Sequence, residues 1–175
     1  MKKILTSKFL LITALLIMFF SNQGISQTSV TANANAEVIE ALRAAEVAAL
    51  NFGRFSPETS GGEIRITPDG IRSAQGTVSL SGGQYNPASF QLAGQSDATV
   101  TINLPQTATI LTNFSTGKTM EVFRWETNDV TNVGTGVLTK GTLVLRIGAT
   151  LKVGTIADNP VGQYSGSYVI TFSYN

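Results

Sequence analysis

From Leu143 to Val153 an apolar side chain stands at every second position: Leu143, Leu145, Ile147, Ala149, Leu151 and Val153. Val144, Arg146, Gly148, Thr150 and Lys152 lie between them. A strict period of two puts one set of side chains on a single face of an extended chain, so this stretch is a β-strand with one buried face. The pattern recurs. Tyr168, Ile170, Phe172 and Tyr174 alternate with Ser167, Val169, Thr171 and Ser173; Val100, Ile102 and Leu104 alternate with Thr99, Thr101 and Asn103; Ile64 and Ile66 alternate with Glu63, Arg65 and Thr67. Pro68-Asp69-Gly70 supplies a turn between Ile66 and Ile71, because proline presets φ and glycine tolerates positive φ. Gly82-Gly83, Asn86-Pro87, Lys140-Gly141 and Asn159-Pro160 punctuate the rest. Short Thr- and Val-rich strands between such turns predict an all-β, antiparallel sandwich.

Ala36 to Leu50 fits this plan least well. Its residues are helix formers, with Val38, Leu42, Ala45 and Ala49 at helical spacing. Alternation also fits, through Ala34, Ala36 and Val38, then Leu42 and Ala44. The residues leave helix and strand both open here.

The first 26 residues read as a secretory leader. Lys2, Lys3 and Lys8 precede an apolar run from Phe9 to Phe20, and Gly24 and Ser26 supply small residues for cleavage. The run is short for a spanning helix, so no stable membrane anchor is expected after cleavage, and with no cysteine no lipid anchor either. Residues 27–36 read as a polar arm and 37–175 as the sandwich domain. Removing three lysines from twelve basic residues leaves nine against eleven acidic, a net charge of −2. That balance argues against nucleic acid as a partner. The expected location is the periplasm, cell surface or extracellular space.

Histidine is also missing, which excludes serine–histidine and cysteine–histidine nucleophiles. Zinc loses its two commonest ligands. Gly134-Thr135-Gly136 lacks the lysine and the strand–helix context of a phosphate loop and reads as a hairpin loop. Glu126, Asn128, Asp129 and Asn132 do not follow the alternate-position spacing of a calcium loop and read as a solvated loop. Phe123-Arg124-Trp125 is the one candidate interaction patch; simple alternation puts Phe123 and Trp125 on one face and Arg124 on the other, and the expected place of that face, and of Trp125, is the core. Tyr164, Tyr168 and Tyr174 read as packing residues with local hydrogen bonds. No enzyme, metal or cofactor is expected.

Two landmarks bracket the domain: Asn51-Phe52-Gly53, flanked by Leu50 and Phe55, and the ending Gly162 to Asn175, with Gly162, Tyr164, Gly166, Tyr168 and Tyr174. With Ile66 to Gly70, Ala88 to Gly94 and Val100 to Pro105, they resemble the exported family called domain of unknown function 4402. That family is similar to spore coat protein U and, more distantly, to chaperone–usher pilin subunits. The resemblance covers Ala36 to Asn175. It implies an immunoglobulin-like sandwich whose first strand runs from Val38 to Leu50, although Ala41, Ala44, Ala45, Ala48 and Ala49 stand where β-branched residues are expected. It also implies a structural or adhesive subunit, pilin- or coat-like, joined to copies of itself or related subunits by strand addition through an arm around Ser29 to Val38. A monomeric binding module for glycan or protein is the alternative.

Overall fold

The computed structural model describes residues 27–128 and 134–175, so the leader lies outside the described residues. Every regular element among the described residues is a strand. In chain order they are β1 (Arg43–Ala48), β2 (Phe55–Ile66), β3 (Arg72–Leu80), β4 (Ala88–Ala93), β5 (Thr99–Asn103), β6 (Thr109–Thr112), β7 (Thr119–Thr127), β8 (Thr135–Val137), β9 (Thr142–Val153) and β10 (Thr171–Tyr174). All pairings are antiparallel.

The long alternating stretch organises the larger sheet. β9 pairs with β4 through Thr142 to Ile147 and with β2 through Ala149 to Val153. Along its opposite edge it pairs with β7, which carries β6. β3 lies outside β2, and β1 lies outside β4. Gly148 is the point where β9 passes from one partner to the next. A Cβ there would sit 2.2 Å from the Ile66 carbonyl oxygen, so only glycine allows β2 so close. The smaller sheet has the order β10-β5-β8.

The alternation buries one face of each strand in two clusters. Ile64, Ile66, Val122 and Leu151 anchor one, under β2, β7 and the second half of β9. Leu92, Val100, Leu145 and Ile147 anchor the other, between β4, the first half of β9 and the small sheet. Leu50 and Trp125 touch both. Each fully buried Ile or Leu contributes about 1.5–3 kcal/mol. The expected antiparallel sandwich is present.

Three local expectations change. Val38 to Leu50 holds a strand, but only Arg43 to Ala48 joins a ladder. The helix pattern loses because an edge strand on β4 satisfies this backbone where an alanine-rich stripe offers little to bury. The Ser167–Tyr174 strand is paired only from Thr171, where β5 begins to supply partners. Gly134-Thr135-Gly136 is not a simple hairpin loop: Gly134 takes φ 68°, and Thr135 starts β8 against β5.

Candidate functional site

The candidate patch Phe123-Arg124-Trp125 is divided between two faces by a bulge. In β7, Val122 lies opposite Leu151, Phe123 opposite Thr150, and Glu126 opposite Gly148, so one extra residue is inserted between Phe123 and Glu126. Arg124 carries the kink at φ 49°. Opposed residues share a face, so Phe123 lies with Thr150 on the outer face while Val122 and Leu151 face the core. The bulge keeps Arg124 outward too. Its guanidinium carbon sits 4.8 Å from the Phe123 ring centroid, and its Nη1 donates to Glu63 Oε2 at 2.9 Å. Trp125 turns inward, 4.6 Å from the Tyr168 ring, with its indole nitrogen buried and unpartnered. Simple alternation therefore fails for Phe123, which lies outside with Arg124, while Trp125 takes the expected core position.

Glu126 returns to the outer face and accepts two bonds from Arg65, at 2.7 and 2.5 Å. That hydrogen bonding, then the carboxylate charge, raises the Arg65 pKa above its ordinary value. Two Arg–Glu pairs thus cross over β9 in opposite senses, one cation and one anion from each of β2 and β7. Together with Ser73 and Gln75 of β3 they line a shallow cleft of about 310 Å³. Thr150, 2% exposed, belongs to the same lining. Sequence reading missed Glu63, Arg65, Ser73 and Gln75 as site residues, although the outward phase of Glu63 and Arg65 was visible in their alternation with Ile64 and Ile66.

The calcium reading finds no support in the positions described. Glu126 is engaged by Arg65, and Asn128 Oδ1 accepts from the Arg146 amide at 2.7 Å. Asp129 and Asn132 lie outside the described residues. Among the described residues no group of three or more His, Cys, Asp or Glu side chains is placed to hold a metal ion.

A second feature is an open seam on one side of the sandwich. β1 pairs with β4 alone, leaving its other edge free. Ala44 and Glu46 stand opposite Leu92 and Phe90, on the core face of the sheet, yet both are exposed. The last segment forms the other lip. It bridges β6 through Ser165 and Thr112, then joins β5 from Thr171. Between Gly166 and Ile170 the main chain makes no ladder bond. Gly166 permits the crossing, since a Cβ there would lie 2.2 Å from the Ile110 carbonyl oxygen.

A hydrogen bond ties these lips together at one end. Tyr174 Oη donates to the Glu40 carbonyl at 2.8 Å and accepts from the Gln95 amide at 2.7 Å. Burial, then the Glu46 carboxylate, pushes the Tyr168 phenol up to about 12. The Asn175 amide donates to Thr99 O at 3.0 Å. Alternation of the ladder then points the Ser173 and Thr171 amides at β5, and those of Tyr174 and Phe172 at the open side; the Tyr168 and Ile170 amides make no main-chain bond.

The remaining landmark residues make local contacts. Asn51 Oδ1 accepts from the Gly53 amide at 2.9 Å, Gly53 takes φ 74°, and Phe52 between them is buried. Tyr164 Oη donates to the Pro160 carbonyl at 3.0 Å, and Gly162 packs against the Asn113 side chain.

A family model described as Domain of unknown function (DUF4402) matches residues 42–174. The chain belongs to this family. Comparison with curated proteins and with solved structures returned no match. The DUF4402 match runs from Leu42, beside β1, to Tyr174 in β10, and so includes both lips of the seam and the whole outer cleft.

Proposed function

We propose that this DUF4402 domain is an exported, non-catalytic structural or adhesive subunit that assembles by strand addition at the open seam. The observation that carries the reading is the unpaired edge from Gly166 to Tyr174, facing a β1 whose core-side residues are uncovered. Such an edge is a ready template for another strand, with main-chain bonds supplying the affinity. The two lips differ in how they are guarded. β1 carries Arg43, an inward Glu46 and a register irregularity at Val47, devices that discourage pairing. From Asn159 to Asn175 there is no charged side chain at all. The acceptor is therefore the last segment.

The donor is the arm. Val30, Ala32, Ala34, Ala36 and Val38 alternate with Thr31, Asn33, Asn35 and Glu37, which is strand patterning with small apolar side chains on one face. Residues 27–37 have no regular structure and are all exposed. Val30 is 84% exposed and Val38 97%, so these apolar residues have no cover of their own. Size-exclusion chromatography and electron microscopy of residues 27–175 and 39–175 test it. The longer protein should form oligomers or filaments and the shorter should remain monomeric. Two monomers of equal thermal stability would refute strand addition.

A further inference from the structure

We propose that the outer cleft of β2, β3, β7 and β9 is a binding site for a neutral saccharide. It lies on the solvent face of the large sheet and does not depend on the seam or on assembly.

Three observations converge. The first is backbone conformation. Arg124 adopts φ 49°, a left-handed conformation that non-glycine residues rarely take. Bulges of this kind commonly re-aim a side chain beside a functional site. Here the bulge brings the Arg124 guanidinium over Phe123 and onto Glu63, at the wall of the cleft.

The second is charge. Glu63, Arg65, Arg124 and Glu126 sum to zero, and each charge is already held by its partner at 2.9 Å or less. An anion would meet two carboxylates and a cation two guanidinium groups, so neither is favoured. Hydroxyl groups suit the arrangement. Each carboxylate retains lone pairs and each guanidinium retains N–H groups after pairing. One hydroxyl can donate to the first and accept from the second, and adjacent hydroxyls on a sugar ring repeat that match along the row.

The third is shape and lining. The cleft holds about 310 Å³, at the small end of the range for small-molecule sites. Ser73 and Gln75 add neutral donors and acceptors, and the Arg124 guanidinium, backed by the Phe123 ring, presents a flat planar group beside them. Two opposed ion pairs bias the four charged side chains toward one arrangement before any ligand arrives, which lowers the ordering cost of binding.

The test uses residues 27–175 on a printed array of neutral and sialylated oligosaccharides, with hits measured by calorimetry. Binding to neutral glycans is expected, with a loss of about tenfold or more in Arg124→Gly and Glu126→Gln, the worth of one charge-assisted bond. Lys152→Ala, outside the cleft, should bind as the parent does. Arg124→Gly relieves the backbone conformation, so its loss of binding is separable from unfolding, and circular dichroism checks that it folds. No bound glycan, binding restricted to sialylated glycans, or full affinity in Arg124→Gly would each overturn the proposal.

Discussion

Replacing Arg124 by glycine and, separately, by alanine isolates the strain in the β7 bulge. Both substitutions remove the exposed pair with Glu63, worth about 0–1 kcal/mol, and the stacking on Phe123, worth about 0.5–1 kcal/mol. They differ in the backbone. Alanine keeps the left-handed penalty at φ 49°, about 1–2 kcal/mol, which glycine escapes. Glycine in turn loses about 0.5–1 kcal/mol through the greater freedom of its unfolded chain. The balance makes Arg124→Gly more stable than Arg124→Ala by up to about 1.5 kcal/mol. At Glu121, an exposed residue of the same strand in regular register with Lys152, the order must reverse, with alanine ahead of glycine by about 0.5–1 kcal/mol. Urea unfolding of the four variants in residues 27–175 measures both differences. The decisive quantity is the sign. If alanine is the more stable replacement at both positions, Arg124 does not occupy the left-handed region, and the outward placement of Phe123 and Arg124 together fails.

Tyr168 and Asn159 test two buried polar groups. The Tyr168 hydroxyl is buried without a partner, and its pKa is raised from 10 to about 12. A folded pKa above the unfolded value makes stability fall as pH rises from 10 to 12. Tyr168→Phe should flatten that fall without loss of stability at neutral pH; an unchanged alkaline profile would show that the phenol is solvated. Asn159 Oδ1 accepts from the Gly154 amide at 2.5 Å and its Nδ2 donates to the Thr119 carbonyl at 2.8 Å. Asn159→Ala leaves both main-chain groups unpaired and should cost about 2–4 kcal/mol in thermal or urea unfolding. A cost below about 1 kcal/mol would mean that water reaches them.

The sheets were legible wherever a strand has one wet face and one buried face. Leu143 to Val153 is the clearest case, because β9 is paired along both edges and every second side chain meets the core. The same rule failed at Arg124, since a single inserted residue inverts the phase of everything after it, and nothing in Phe-Arg-Trp marks the insertion. It also overextended the last strand. Tyr168 and Ile170 pack inward as the pattern requires, but side-chain phase carries no information about whether a neighbouring backbone is present to pair. In β1 the sequence was ambiguous for a physical reason: alanines satisfy helix propensity and edge-strand packing alike, and only the ladder with β4 decides between them. The outer cleft joins residues from β2, β3 and β7, far apart along the chain, so its assembly depended on register rather than on any local motif.

Amide hydrogen exchange at Tyr168 and Ile170 in residues 39–175 probes the seam most directly, with and without a synthetic peptide of residues 28–38. Both amides should exchange rapidly in the protein alone and become protected by the peptide, while the Val100 and Leu145 amides, inside established ladders, stay slow throughout. Protection of Tyr168 and Ile170 before any peptide is added, or free exchange after saturation with it, would contradict an open edge waiting for a strand.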